Sequence, residues 1–171
     1  PMAFAAKLRN GIFRNTGACL SPVNAYLNLI GIETLGLRME RECQNALEHA
    51  HWIAENYSDI IVNYPGLEES PYHEIAKKQF RNGYGAIGTV RTGSKEKAFS
   101  IINSLKIPLI ISNIGDTKTL VIHPESTIAA HISDEEKQQS GVFEDLIRIS
   151  VGIEDIEDLK EDFKQAIESN R

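Results

Sequence analysis

One arginine in the C-terminal third has the type and setting to bind a small anion. Arg148 lies in the run Leu146–Ile153, where apolar residues alternate with polar or small ones. Successive side chains of a strand point to opposite faces, so one face is predicted to be core and the other carries Arg148, Ser150 and Gly152. The predicted core face consists of Ile147, Ile149, Val151 and Ile153.

Small residues beside a single arginine leave space above a sheet. In such a space a guanidinium can hold a carboxylate through two parallel hydrogen bonds. A solvated or salt-bridged structural arginine is the commoner role, because most arginines are exposed. The pattern alone leaves both roles of Arg148 open.

A glycine pattern and five histidines are weaker candidates. Residues 83–88 fit GxGxxG, but they follow a predicted helix and enter a predicted strand, the reverse of a dinucleotide-binding loop. We interpret these glycines as a helix end and a thin strand. No histidine or cysteine set has zinc-ligand spacing, so no metal site is predicted. Surface or loop positions are predicted for His49, His51, His73 and His131, and a partly buried one for His123.

The elements that must position Arg148 follow from periodicity and capping. Ser21-Pro22 opens a helix, with serine as N-cap and proline at the first helical position. Helical character continues to about Asn56, with kinks expected at Gly31 and Gly36. Other helices are predicted to open at Ser70-Pro71, Ser94, Ser133 and Asp155. Strands are predicted over residues 60–63, 84–90, 107–111, 119–122 and 145–153.

The predicted helices and strands alternate along the chain, but the long apolar strands of a large parallel sheet are missing. It predicts an α+β fold: a two-layer domain with a small, mainly antiparallel sheet and helices on one face. The strand at 107–111 contains Pro108 and is expected to start late or to lie at an edge.

Composition narrows the classes of function. The chain has 171 residues and a net charge of −6, which suits one domain with part of another and argues against a nucleic-acid partner. No run approaches the ~20 apolar residues of a membrane span. Cys19 and Cys43 lack a disulfide pattern, which favours a reducing compartment such as the cytoplasm. Residues 1–7 do not form a signal peptide and do not begin like a translation start, so we expect a processed, split or truncated chain.

Several stretches together resemble the Cys/Met-metabolism enzymes that depend on pyridoxal 5'-phosphate (PLP). They occur in the family's order and cover nearly the whole chain, and Asn63–Leu67, Ala76–Lys78 and Asn113–Asp116 look most like its sulfhydrylase branch. The matching stretches are Gly17–Pro22, Gly31–Leu35, Leu37–Met39, Val62–Leu67, Ala76–Lys78, Asn113–Asp116, Thr119–Pro124 and Leu146–Ile156.

The resemblance implies the C-terminal portion of the type I, aminotransferase-like PLP fold. Residues 1–34 would be the end of the large PLP-binding domain with a linker helix, and residues 35–171 the small domain. The cofactor would be bound mainly by the large domain. In the family, an arginine at the position of Arg148 binds the substrate α-carboxylate. Asn113 would lie beside the substrate, and Ser112 and Thr119 are weaker substrate-binding candidates on the same loop.

The same resemblance implies a chain that is incomplete as a catalyst. The family's Schiff-base lysine lies upstream of the matching stretches, so no catalytic residue is expected here and the chain alone should be inactive. The expected partners are an upstream segment or a separate PLP-domain polypeptide, further copies in a dimer or tetramer, and a small-molecule substrate. Membrane and nucleic-acid partners are not expected.

Two departures from the family pattern keep alternatives open. Ile128-Ala129 replace a usual Thr-His, and Pro108-Leu109-Ile110 replace a usual Phe-Ser-His. The main expectation is an O-acetylhomoserine sulfhydrylase, which replaces acetate by sulfide to give homocysteine. The alternatives are a non-catalytic binding or regulatory module left from a split or degraded enzyme, or another family activity such as cystathionine γ-synthase or γ-lyase.

Overall fold

The structure, a computed structural model, describes residues 2–171. These form two compact units, one ending at Gly36 and one covering Leu37–Arg171. The helices are α1 (Met2–Leu8), α2 (Arg14–Thr16), α3 (Pro22–Glu33), α4 (Leu35–Asn56), α5 (His73–Gln79), α6 (Lys95–Ser104), α7 (Asp134–Gln139) and α8 (Ile156–Glu168), with a π-helical turn at Arg9–Phe13. The strands are β1 (Ile61–Asn63), β2 (Ile87–Arg91), β3 (Leu109–Ile110), β4 (Leu120–Ile122) and β5 (Leu146–Ser150).

The first unit is helical, and no residue from 3 to 36 is buried. The predicted start of α3 is confirmed: the Ser21 hydroxyl accepts a hydrogen bond from the Asn24 amide at 3.2 Å, with Pro22 at the first helical position. The prediction of kinks at Gly31 and Gly36 is wrong. The helix breaks between them at Thr34, whose backbone leaves the helical region.

The second unit is built on one five-stranded sheet with the order β1-β2-β5-β4-β3. Only the β3–β4 pair is parallel, and the other three pairs are antiparallel, which confirms the mainly antiparallel sheet. The strand containing Pro108 does lie at an edge and starts late, at Leu109. Arg148 lies on the central strand β5, opposite Thr89 of β2 and Ile122 of β4.

Helices α4, α6 and α8 pack on one face of the sheet, as predicted. Each of these helices contributes an apolar stripe, and β2, β4 and β5 contribute the opposing side chains. The stripes and the strands together include Ala46, Ala50, Ile53, Ala98, Ile101, Ile102, Leu159, Phe163, Ala166, Ile167, Val90, Val121, Ile147 and Ile149. Burying one large side chain of this kind contributes about 1.5–3 kcal/mol, so this layer is the main source of stability.

The core face of β5 is confirmed for three of its four predicted members. Ile147, Ile149 and Val151 are buried in the core. Ile153 is 38% exposed, so its assignment to the core is wrong. The strand ends at Ser150, three residues before the predicted end, and the alternation of faces continues only as far as Val151.

The second predicted helix is also corrected. It begins at His73 and not at Ser70-Pro71, and its N-cap residue Tyr72 makes no side-chain cap. Its apolar residues are mostly at the surface: Tyr72, Ile75 and Phe80 are 58%, 55% and 50% exposed, whereas Ala76 is buried. The helix starts predicted at Ser94, Ser133 and Asp155 are confirmed by side-chain caps, with a complete capping box between Ser133 and Glu136.

Two histidines predicted at the surface are buried. His49 is 4% exposed, and its ring centroid lies 4.4 Å from that of Phe163 in an edge-on contact. Burial lowers the pKa of His49 to about 4. His73 is 8% exposed, and its Nδ1 lies 3.0 Å from the Pro65 carbonyl oxygen.

Over the described chain, no helix has the length and apolar character needed to cross a membrane.

Candidate substrate-carboxylate site

Arg148 is a half-buried cation on the sheet face that points away from the helices. Its Nη2 donates to the backbone oxygen of Asn113 at 3.0 Å. Its Nε is buried, and no group of residues 2–171 accepts a hydrogen bond from it. None of the ion pairs formed within that range includes Arg148, and burial lowers its pKa. A partly desolvated cation without an acidic partner favours binding of an anion.

The loop of residues 111–118 covers part of the space above β5. The amide of Gly115 donates to the Ser150 hydroxyl at 3.2 Å, and the amide of Ile153 donates to the Thr117 carbonyl at 2.9 Å. The space expected above the small residues of this face is therefore partly filled by backbone. No local pattern predicts this filling, because the contacting residues lie about 35 positions apart.

The structure brings Asn113 and Arg148 into direct contact, and Ser112 is the exposed neighbour of Asn113 on the same loop. The contact uses the Asn113 backbone, so its exposed side chain remains available at the surface. Substrate binding by Ser112 and Asn113 stays a prediction. Their position beside the guanidinium is compatible with it.

Thr119 occupies a different environment. Its side chain is 1% exposed, and its hydroxyl donates to Glu154 Oε2 at 2.9 Å while accepting from the Gly152 amide at 2.9 Å. Its own amide also donates to the Glu154 carboxylate. The hydroxyl is thus committed within the protein. Substrate contact by Thr119 stays a prediction, and the observed bonds make it an anchor of the loop.

Sequence reasoning missed two acidic residues near this loop. Glu154 has no predicted role beyond its place in a matching stretch, yet it accepts two hydrogen bonds from Thr119. Glu42 of α4 is 1% exposed. Burial raises the pKa of Glu42, the Arg38 charge lowers it, and the Asp116 charge on the loop raises it. Glu42 shares the apolar stripe of α4 with Ala46, Ala50 and Ile53, a spacing that could have indicated its burial.

The described lysines do not suit the anchoring of PLP. A lysine that forms an imine with a carbonyl needs its amine neutral, which burial in an apolar site favours. No lysine of residues 2–171 is buried. The least exposed ones are ion-paired, and carboxylates raise the pKa of Lys137 and Lys160. Within residues 2–171, no lysine therefore has the buried setting that favours an imine-forming amine.

Each of the two departures from the family pattern includes both exposed and buried side chains. Leu109 and Ile110 are 39% and 59% exposed on the edge strand β3, whereas Pro108 is buried. Ile128 is 45% exposed and Ala129 is 4% exposed. At three of these positions, then, apolar side chains face outward.

Comparison with known proteins places the chain in one class of enzyme. Residues 3–168 match the family described as Cys/Met metabolism PLP-dependent enzyme. The chain belongs to that family, whose members depend on PLP.

Two of the similar proteins are a sulfhydrylase and a homocysteine synthase. O-acetyl-L-homoserine sulfhydrylase 1 of Thermus thermophilus is 43% identical over 167 residues, which are 97% of this chain and 40% of the relative. The homocysteine synthase of Schizosaccharomyces pombe is 42% identical, covering 98% of this chain and 39% of the relative. The chain thus spans about two fifths of the length of these relatives.

Solved structures give the same result. A putative O-acetylhomoserine (thiol)-lyase of Campylobacter jejuni, which carries N'-pyridoxyl-lysine-5'-monophosphate, has a TM-score of 0.90 and 39% identity over 97% of this chain and 40% of its own. The O-acetylhomoserine sulfhydrylase of Wolinella succinogenes has a TM-score of 0.82 and 44% identity over 98% of this chain and 44% of its own. These matches confirm the predicted α+β small-domain fold of type I PLP enzymes.

Proposed function

We propose that this chain is the C-terminal part of a PLP-dependent O-acetylhomoserine sulfhydrylase and that Arg148 holds the substrate α-carboxylate. The observation that carries the proposal is the half-buried guanidinium whose Nε lacks an acceptor within residues 2–171. The names of the relatives support the reaction, replacement of acetate by sulfide to give homocysteine.

The contribution of this chain is binding and orientation. When bound, PLP supplies an electron sink at the α-carbon of the amino acid. Arg148 presents a planar fork that fixes a carboxylate in position and direction, and such fixation lowers the entropic part of the barrier. The Asn113 carbonyl holds one end of the fork at 3.0 Å, which limits rotation of the guanidinium.

We infer that the cofactor-anchoring lysine comes from a PLP domain outside these residues, either an upstream segment or a separate polypeptide. The exposed apolar surface of the first unit supports this partner. On α3, Val23, Leu29 and Ile32 are 67%, 63% and 60% exposed, and a helix that is apolar all round is typical of a protein interior. A complete enzyme would bury this helix, and we expect it to be a dimer or tetramer in the cytoplasm.

The proposal is tested by Arg148→Lys in the PLP-loaded enzyme that contains these residues. Lysine keeps the charge and loses the fork, so one charge-assisted hydrogen bond of about 1.5–3 kcal/mol is lost. The substrate Kd should rise roughly 10- to 150-fold, while the absorbance of bound PLP stays unchanged. Arg81→Lys, at an exposed position, is the matched control. Unchanged substrate affinity together with a melting temperature lower by many degrees would identify Arg148 as a structural residue.

The origin of the lysine has its own test. Purified chain of residues 1–171 is mixed with PLP and borohydride, and adducts are counted by mass spectrometry. We expect no single lysine to carry one PLP per chain, because none of the described lysines is buried and burial in an apolar site is what activates an imine-forming lysine. One PLP per chain on a single lysine would contradict the inference.

A non-catalytic module is the second candidate, favoured by the exposed apolar residues Leu109, Ile110 and Ile128 at the departures. The reading frame next to the one that encodes this chain discriminates the enzyme from the non-catalytic module. If a PLP-domain partner is encoded there and the two pieces associate, sulfide-dependent homocysteine formation supports the enzyme. Association without activity supports the module.

A further inference from the structure

A carboxylate outside the predicted site fixes the loop that holds Arg148. Glu154 follows β5 by four residues, and its two oxygens accept the amide and the hydroxyl of Thr119, the latter at 2.9 Å. Thr119 is the last residue before β4 and joins that strand to the loop of residues 111–118. Hydrogen bonds to an ionised group are about twice as strong as neutral ones, so Glu154 is a strong anchor for this end of the loop.

The segment containing Glu154 is itself held from the helical side. The Asn45 side chain of α4 is 2% exposed and donates to the carbonyl oxygens of Gly152 and Glu154 at 3.0 and 2.8 Å. The Gly152 amide donates to the Thr119 hydroxyl at 2.9 Å. Residues 152–154 are therefore fixed to the core on one side and to the loop on the other.

Gly152 allows the close approach that these bonds require. A Cβ at this position would lie 2.6 Å from the carbonyl carbon of Lys118 and 2.5 Å from Glu154 Oε2. Both distances are far below van der Waals contact, and one of the obstacles is backbone. The loop can reach the Glu154 carboxylate only because residue 152 has no side chain.

The other end of the loop contacts Arg148. The Asn113 carbonyl accepts from Nη2 at 3.0 Å, and two residues later the Gly115 amide donates to Ser150 at 3.2 Å. A shift of the loop would therefore move the group that sets the orientation of the guanidinium. We propose that Glu154 is a positioning residue, which clamps the loop through Thr119 and so presents the Arg148 fork to the substrate carboxylate. This role rests on the function proposed for Arg148.

The chemistry of the clamp predicts which substitutions break it. The Thr119 hydroxyl already accepts from Gly152, so toward residue 154 it acts as a donor. Glu154→Gln keeps one acceptor oxygen and places an amide NH2 against a second donor, which removes one hydrogen bond and the charge. Thr119→Val removes the hydroxyl at nearly constant shape, and Thr119→Ser retains it.

The test compares two ligands of the PLP-loaded enzyme that differ only in a carboxylate. L-norvaline has the α-carboxylate, and n-butylamine is the same molecule without it. With Glu154→Gln and Thr119→Val we expect the Kd of L-norvaline to rise about 10-fold, the effect of one charged hydrogen bond, and that of n-butylamine to stay within about twofold by the same scale. Thr119→Ser should restore binding. The control Glu161→Gln changes an exposed acid of α8 and should have no effect.

A second readout needs no cofactor. In residues 1–171 alone, amide hydrogen exchange at Gly115 and Thr119 should become about 10-fold faster in Glu154→Gln, since loss of one charged bond favours local opening. Exchange within α8 should stay unchanged. Unchanged exchange at both loop amides overturns the clamp, and so does an equal loss of affinity for both ligands. If Glu154→Gln does not fold, Thr119→Val decides by the same criteria.

The outcomes separate this inference from the proposed function. If Arg148→Lys leaves L-norvaline affinity intact, the carboxylate contact itself is wrong. If Arg148→Lys weakens L-norvaline and Glu154→Gln does not, the contact stands and only the positioning role is overturned.

Discussion

Replacing Asp162 by alanine is expected to lower the free energy of unfolding by about 2–6 kcal/mol, because two backbone donors lose their acceptor at about 1–3 kcal/mol each. Asp162 of α8 is 6% exposed. Its Oδ2 accepts from the amides of Lys106 and Ile107 at 2.9 and 2.8 Å, and its Oδ1 accepts from Gln165 Nε2 at 3.1 Å. These amides lie just after α6, where the chain leaves the helix and turns toward β3, and the Asp162 carboxylate is their acceptor.

Urea denaturation of the 171-residue chain measures this effect. Asp162→Asn keeps one acceptor oxygen and should cost about half as much on the same scale. Asp158→Ala, an exposed acid in the first turn of the same helix, should change stability by less than about 1 kcal/mol. If Asp162→Ala and Asp158→Ala lower the free energy of unfolding equally, water must replace the carboxylate as acceptor for the amides of Lys106 and Ile107 with no loss of stability.

Acidification is expected to destabilise the second unit through His49. Burial among Phe163 and neighbouring core residues lowers the pKa of His49 to about 4 from an ordinary value of 6.5. The unfolded chain therefore binds more protons than the folded one between these values, and stability falls as the pH decreases from 6.5 toward 4. The full loss is about 3 kcal/mol at 1.36 kcal/mol per pH unit, and it is complete below the folded pKa.

The measurement is the free energy of unfolding from pH 7.5 to pH 4 for the wild type and for His49→Leu. Carboxylates titrate in both proteins, so the difference between the two curves isolates His49. As the pH falls from 7.5 to 4, the free energy of unfolding of His49→Leu should rise by about 3 kcal/mol relative to that of the wild type. His51→Leu, at an exposed position on the same helix, should retain the wild-type pH dependence. Parallel curves for wild type and His49→Leu would contradict a neutral, buried imidazole.

Local patterns predicted most of the elements, because caps and periodicity act over a few residues. Ser21, Ser94 and Ser133 are N-cap residues, and a helix begins after each of them as predicted. The alternation around Arg148 placed Ile147 and Ile149 in the core correctly. At Ser70 the same reasoning failed: the Ser70 hydroxyl accepts from the Tyr72 amide at 3.3 Å within a turn, and the helix starts later.

The features that escaped prediction depend on residues far apart in sequence. The loop over β5, the Thr119–Glu154 bonds and the Asn45 bonds join residues about 35 and 107–109 positions apart, and no periodicity encodes them. His49 is a different case. It shares the stripe of Ala46, Ala50 and Ile53 on α4, so its burial could have been predicted had periodicity been preferred to the usual exposure of histidine.

The edge strands of the sheet affect how the protein aggregates at high concentration. Exposed strand edges can pair with another chain and extend a sheet between molecules. Here the edge strands β1 and β3 have three and two residues, and Pro108, which lacks an amide hydrogen, directly precedes β3. Such short edges offer few hydrogen bonds to a fibril. Insolubility at high concentration should therefore appear as amorphous precipitation through the apolar surface of α3, without the 4.7–4.8 Å diffraction of cross-β stacking.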